Sequence, residues 1–311
     1  MGYQDSMRES IKKLEATRDY RLKQEVPLLS LEEKNQLLTD FHPDYRKGAH
    51  REIRVGVNKG DKAVSELVDL LEAKALVEPD MINLEDVYIS SDILVIGSGG
   101  AGLTAALFGH DTGAKVVLAT KLRLGDSNTI MAEGGINAAI SPGDSPVIHY
   151  IDTMGGGNFT NIPSLVRALA LESPYIIEWL EKLGVPFDRD PDSDLPLPIL
   201  AGGHTRPRVC SVGDYTGMTI VQTLRAEVEK RKIEVLEFSP VVDLLIDEKG
   251  QCAGAIVLDL ENQRYQVIKS KAVIIATGGI GRLHVQKFPT TNHYGATADG
   301  LVIAYRAGAA L

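Results

Sequence analysis

The chain has 311 residues, 44% of them hydrophobic, and a formal net charge of −9. That length accommodates two domains and a large core, and the composition excludes a disordered chain. The negative balance argues against sequence-independent binding of DNA or RNA, and no run reaches the roughly 18 apolar residues of a membrane span.

The first residues, MGYQDSMRESIKK, lack the apolar core of a signal peptide, so a soluble cytoplasmic protein is expected. Residues 1–88 are charged and read as a partly helical N-terminal arm, packed on the main domain or on a partner. Within it, VSELVDLLEAKALV (64–77) repeats apolar residues at helical spacing and predicts one amphipathic helix. The arm carries no catalytic constellation, and His42 and His50 read as surface residues.

At residue 92 the character changes. DILVIGSGGAGLTAALFGHDTGAKVVLAT predicts strand, tight glycine turn, helix and strand. Gly97-Ser98-Gly99-Gly100-Ala101-Gly102 fits GxGxxG in the context that gives the motif meaning. Gly97 permits the turn, Gly99 admits a pyrophosphate close to the backbone, and Gly102 allows helix and strand to pack. The helix N-terminus adds N–H groups and a positive dipole end. The second strand ends Ala119-Thr120-Lys121, without the acid that binds a ribose in NAD domains, which weakens an NAD reading.

Further on, 163–183 predicts two helical pieces broken at Ser173-Pro174 and stopped at Gly184. Tyr175 and Trp179 on the second piece read as core. Residues 217–232 predict another helix and IEVLEF a short strand. VVDLLIDEKGQCAGAIVLDLENQRYQVI predicts a three-stranded antiparallel meander, with turns at 248–250 and 261–263. KAVIIATGG then predicts a strand buried in a parallel sheet. The expected fold is α/β: a Rossmann-like parallel sheet with an antiparallel β-meander, preceded by the arm. That combination favours a flavin-type dinucleotide domain. Cys210 and Cys252 form no CxxC pair and read as buried thiols in a reducing compartment; no metal site is expected.

A set of segments in order resembles the flavoprotein subunits of succinate dehydrogenase and fumarate reductase, with L-aspartate oxidase as a relative. They are GSGGAGLTAAL (97–107), SNTIMAEGGINAA (127–139), DTMGGG (152–157), LGVPFDRD (183–190), GGHTRPR (202–208), DYTG (214–217), ATGGIGRL (276–283) and TTNHYGATADGLVIAYRAGA (290–309). The resemblance covers 89–311 and implies an FAD-binding domain that is incomplete here, with the capping and catalytic part expected beyond Leu311.

The resemblance implies FAD contacts from Gly97, Ser98, Gly99, Gly100, Ala101 and Gly102, and from Thr120 and Lys121, which match the family's Thr-Lys. It adds Ser127, Asn128, Thr129, Ala132, Glu133, Gly134, Gly135, Val241, Ala276, Thr277, Gly278 and Asp299. Asn128 stands where respiratory members carry the histidine bonded to the flavin. An amide cannot form that bond, so the FAD is expected to be non-covalent, which suits electron flow from flavin to a fumarate-like acceptor. Glu133 replaces a common glutamine; it either disfavours the anionic reduced flavin or turns to solvent. Val241 reads equally as plain core, and the alternative role for Asp299 is a helix N-cap.

His204, Arg206 and Arg208 form a basic loop suited to a dicarboxylate, or else lie on the surface or pair with Asp188 and Asp190. They are the candidate catalytic residues within the chain. His149, His284 and His293 flank matched motifs and read as satisfied structural histidines. The implied activity is hydride transfer between flavin N5 and a dicarboxylate, and the implied partner is an iron–sulfur electron-transfer subunit. An L-aspartate oxidase-like enzyme and a flavin-binding docking module without activity of its own remain the alternatives.

Overall fold

The computed structural model describes residues 3–25, 27–192, 194, 196–284 and 290–311. Contacts divide the chain into two units, Met1–Ala49 and His50–Leu311. The first holds helices α1 (Asp5–Lys23) and α2 (Leu31–Phe41). Helix α2 opens with a capping box, in which Ser30 and Glu33 satisfy each other's backbone N–H groups.

The second unit opens with strands β1 (His50–Glu52) and β2 (Lys62–Val64), an antiparallel pair, followed by helix α3 (Ser65–Glu72). The single helix expected over 64–77 is shorter than its pattern. Its chain turns extended at Ala73, and the carbonyls of Ala73 and Lys74 accept from Arg306 instead.

Next come β3 (Val87–Ile96), α4 (Gly100–Asp111), β4 (Val116–Ala119), β5 (Ile136–Asn137), α5 (Pro146–Gly156) and α6 (Pro163–Leu183). They are followed by β6 (Val209–Cys210), α7 (Thr216–Lys230), β7 (Glu234–Leu236), β8 (Val241–Ile246), β9 (Cys252–Asp259), β10 (Arg264–Ile275) and α8 (Asp299–Arg306).

Six strands form one sheet in the order β7-β4-β3-β10-β9-β8. The first four are mutually parallel, and β10, β9 and β8 form the antiparallel meander. The expected class is therefore observed: a mixed α/β fold with a mostly parallel central sheet. One detail differs. The third meander strand and the returning parallel strand are a single strand, β10, which pairs with β9 over its first half and with β3 along most of its length.

Helix α6 is also continuous, where two pieces were expected. Pro174 removes one N–H, but the Ala170 carbonyl accepts from Ser173 Oγ at 3.4 Å, so the helix continues. Gly184, at φ +112°, ends it as expected. Tyr175 is 55% exposed rather than core, because it lies on the outer face of this helix. Trp179 stacks on Phe108, with ring centroids 5.0 Å apart. The main core lies between the sheet and helices α4, α6 and α7, with Leu103, Leu107, Val221 and Leu224 fully buried. Among the described residues, no helix is long and apolar enough to cross a membrane.

Candidate cofactor cavity

A cavity of ≈ 510 Å³ opens at the carboxyl ends of β3, β4 and β10, where α4 begins. This is where an open parallel sheet offers a crevice, and the volume suits an organic cofactor or part of one. The glycine turn is packed without slack. A Cβ at Gly102 would lie 1.8 Å from the Gly97 carbonyl oxygen. At Gly97, with φ +103°, a Cβ would meet the Ala276 carbonyl oxygen at 2.5 Å. The turn is thus wedged between its own helix and the end of β10, which carries Ala276-Thr277-Gly278. Helix α4 has Gly99 at its N-cap, which offers no side chain of its own to the first turn. Its first N–H, from Gly100, donates to Thr129 Oγ1 at 3.1 Å.

The wall brings together most of the residues expected from sequence: 97–101, 120–121, 127–129, Val241, 276–278 and Asp299. Val241 is 6% exposed, so it serves the core and the wall at once. Gly102 lies behind the wall as the packing contact just described. Ala132, Glu133, Gly134 and Gly135 do not line this cavity. They are exposed, Glu133 included. This loop is fixed from behind, since Gly217 N donates to Ala132 O at 2.8 Å and Thr216 Oγ1 to Glu133 O at 3.2 Å. Gly135, at φ +138°, admits no side chain because a Cβ would lie 2.5 Å from Val209 Cγ1.

Asp299 is the first residue of α8 and not its cap; Ala298 holds the cap position at φ +69°. The Asp299 carboxylate turns instead to Lys121 Nζ, which also donates to Thr297 Oγ1 at 2.6 Å. A cation, a carboxylate and a hydroxyl therefore share one rim.

His293, Asp126, Gly295 and Tyr305 were not site candidates in the sequence, yet all four line the cavity. The His293 N–H donates to Asn128 Oδ1 at 2.7 Å, and its Nδ1 accepts from Gly295 N–H at 3.1 Å. With Nδ1 accepting, the neutral ring carries its proton on Nε2. Burial holds the His293 ring below its ordinary pKa, with Lys121 and Arg282 adding to this and Asp126 opposing it. The histidine inside a matched motif, TTNHYG, was its only sequence signal.

The basic loop lies elsewhere. Arg208 is fully buried and pairs bidentately with Asp144, at 3.0 Å from both Nε and Nη2. Its Nη1 lies 2.9 Å from Asp152 Oδ2, an ion pair outside hydrogen-bond geometry. The alternative pairing of this loop with Asp188 and Asp190 is not seen among the described residues. Asp188 instead accepts from Ser211 Oγ and Gly213 N. Burial pushes the Asp152 carboxyl up, but the Thr205 N–H and hydroxyl, with the Arg208 charge, outweigh it and hold the carboxyl below its ordinary value.

Arg206 is exposed and donates to the carbonyls of Gly143 and Thr205. His204 is half-buried, its Nε2 3.3 Å from Asn137 Nδ2. His149 is 2% exposed, and its Nδ1 has no hydrogen-bond partner among the described residues, so it is buried but not satisfied as expected. The Arg208 knot is a scaffold, and the three basic residues do not converge on the cavity.

Cys210 is buried and free, its thiol pushed up to about 12 by burial, while Cys252 is half-buried rather than buried. No group of three or more His, Cys, Asp or Glu that could hold a metal is found among the described residues.

The family model described as "FAD binding domain" matches residues 92–311. An uncharacterised FAD-dependent oxidoreductase of Methanocaldococcus jannaschii is 40% identical over 225 residues, 72% of this chain and 40% of that protein. One subunit of the fumarate reductase (CoM/CoB) of Methanothermobacter marburgensis is 37% identical over 73% of this chain and 42% of its own length. L-aspartate oxidase of Streptomyces coelicolor is 37% identical over 71% and 38%. Among solved structures, Sdh1 of Mycobacterium smegmatis in complex with UQ1 superposes with a TM-score of 0.66 at 35% identity, covering 70% of this chain and 38% of that one. The chain thus spans about two fifths of the length of these relatives.

Proposed function

The chain belongs to the FAD-binding-domain family that includes succinate dehydrogenase and fumarate reductase flavoproteins and L-aspartate oxidases, and from this premise we propose that it holds FAD non-covalently and serves hydride transfer to or from a small dicarboxylate. The observation that carries the reading is the cavity itself. A glycine turn, a helix start with glycine at its N-cap and a Thr-Lys strand end meet there at the head of a parallel sheet.

In this reading the α4 N-terminus and the turn hold the pyrophosphate. Thr120, Lys121 and Val241 hold the adenosine end. Ser127, Asn128, Thr129, Ala276, Thr277, Gly278 and Asp299 complete the grip, and Gly134-Gly135 lies beside the flavin ring outside the cavity. When bound, FAD supplies two-electron hydride chemistry at N5. The chain's own residues bind, orient and exclude water. Asn128 cannot form a covalent flavin bond, and its Oδ1 is already engaged by the His293 N–H. Electron flow from flavin towards a fumarate-like acceptor follows as the favoured direction. Arg208 is sealed in its carboxylate knot, whereas His204 and Arg206 lie outside the cavity, with His204 beside Asn137 just past the Gly134-Gly135 loop.

A second reading is oxidation of an amino dicarboxylate. Its support is that several L-aspartate oxidases match at 37–39% identity. An iron–sulfur subunit is the proposed electron partner, following the family resemblance. The test is anaerobic flavin spectroscopy on the protein loaded with FAD. Reoxidation of the dithionite-reduced flavin by fumarate supports the first reading, and bleaching of the oxidised flavin by aspartate supports the second. No response of this chain to fumarate, succinate or aspartate favours a flavin-binding module without activity of its own.

A further inference from the structure

We propose that residues 50–74, which precede the matched family region, form a brace that positions helix α8 on the cofactor cavity, so that cofactor binding and the order of this segment are coupled. The inference rests on the cofactor reading above and adds an element to it. Helix α8 contributes Asp299, Leu301, Ile303 and Tyr305 to the cavity wall. One of these, Tyr305, is 2% exposed and reaches into the brace. Its hydroxyl donates to the Val55 carbonyl at 2.6 Å and accepts from the Asn58 N–H at 3.2 Å. A buried hydroxyl satisfied in both roles by backbone fixes both partners, because losing either strands a polar group.

The fit is close at Gly56, whose φ is +72°. A Cβ there would lie 2.5 Å from the Tyr305 ring. Ile53, Val68 and Leu71 share a core cluster with Tyr305. The same helix is tied again at its last turn, as Arg306 Nη2 donates to the carbonyls of Ala73 and Lys74 at 2.8 and 2.9 Å. Asn58 adds a third tie: its Oδ1 accepts from Leu311 N at 2.9 Å, and its Nδ2 donates to Leu311 O at 3.4 Å. Leu311 also lines the cavity. These ties act on the end of α8 away from Asp299, and a shift of the helix would move the wall that carries its other residues. By linkage, anything that binds the held wall must also stabilise what holds it.

The experiment pairs an FAD titration of the apoprotein with hydrogen exchange of the full chain, with and without FAD, for wild type, Tyr305→Phe and Arg306→Gln. The expected result is an FAD Kd raised about tenfold by Tyr305→Phe, which removes both backbone hydrogen bonds of the hydroxyl, part of that loss being passed on to the cofactor wall. FAD must also slow exchange of wild-type amides in 53–58 and do so less in the variant. Gly56→Ala should weaken FAD more; if it fails to fold, the two side-chain variants carry the test. A Kd within twofold of wild type in both variants overturns the proposal, and so does unchanged exchange in 53–58 on adding FAD. Wild-type protein that binds no FAD overturns the cofactor reading itself, and it is separable because it is seen without any substitution.

Discussion

Two polar regions of this molecule were both legible in the sequence as candidate chemistry, and they turned out to be opposites. The cavity is walled by glycines and small residues, and its charged pair, Lys121 with Asp299, stands at a partly exposed rim. The Arg208 knot has a fully buried guanidinium between Asp144 and Asp152, with Thr205 closing the second carboxylate. In the first region side chains are withheld so that something else can enter. In the second every charge already has its partner. A site with room and a partly exposed ion pair at its rim can bind; a buried network of paired charges holds the fold.

The sharpest way to break this comparison is at the glycine turn. Gly102→Ala places a methyl 1.8 Å from the Gly97 carbonyl oxygen, with no flexible side chain to yield. The expected outcome is loss of folded, flavin-binding protein, read by circular dichroism and absorbance at about 450 nm, where bound flavin absorbs. Normal folding with bound FAD would show that the turn has slack the geometry denies.

Arg208→Met comes next. It strands two carboxylates, one with no exposure, and should cost about 3–5 kcal/mol in urea denaturation. Within the protein that remains folded, the FAD Kd should stay within twofold. A large Kd change at small stability cost would return Arg208 to the site.

Lys121→Met should behave in reverse. Its pair with Asp299 is partly exposed, so stability should change by less than about 1 kcal/mol. FAD affinity should fall about tenfold, as for the loss of one charge-assisted contact. Equal affinity in the variant would remove Lys121 from the cofactor contacts.

A smaller effect concerns His149, buried beside Arg208. Burial, and then the Arg208 charge, hold its pKa below the ordinary 6.5. A histidine with a lowered folded pKa contributes stability that is present above its unfolded value and lost as pH falls through the folded one. Unfolding free energy should therefore decline below about pH 6.5, with a limiting slope of about 1.4 kcal/mol per pH unit from this group. His149→Asn should flatten that part of the curve; an unchanged slope would assign it to other groups.

What could be read in advance follows the same division. The run from β3 through the glycine turn to α4 was legible because its periodicity and glycine spacing are local. So was the meander, from alternation and turns. The continuity of β10 was not, because Lys269-Ser270 interrupts the apolar pattern. Ser270 is nonetheless buried, its Oγ bonded to Ala272 O and within reach of Ser91 Oγ. Pro174 misled for the opposite reason, since the helix closes the gap with a neighbouring serine. The partners of Arg208 lie 64 and 56 residues upstream, and no spacing announces such a pair. His293 reached the cavity through a loop whose path is set by Asn128 and Gly295, contacts that exist in three dimensions alone.

The measurement that bears most directly on the central claim is the visible spectrum of the FAD-reconstituted protein before and after acid precipitation, with the flavin quantified in both fractions. The expected result is about one FAD per chain in the native protein and all of it in the supernatant after acid. Flavin remaining in the pellet would contradict the reading of Asn128, and a protein that takes up no flavin would contradict the cavity's assignment.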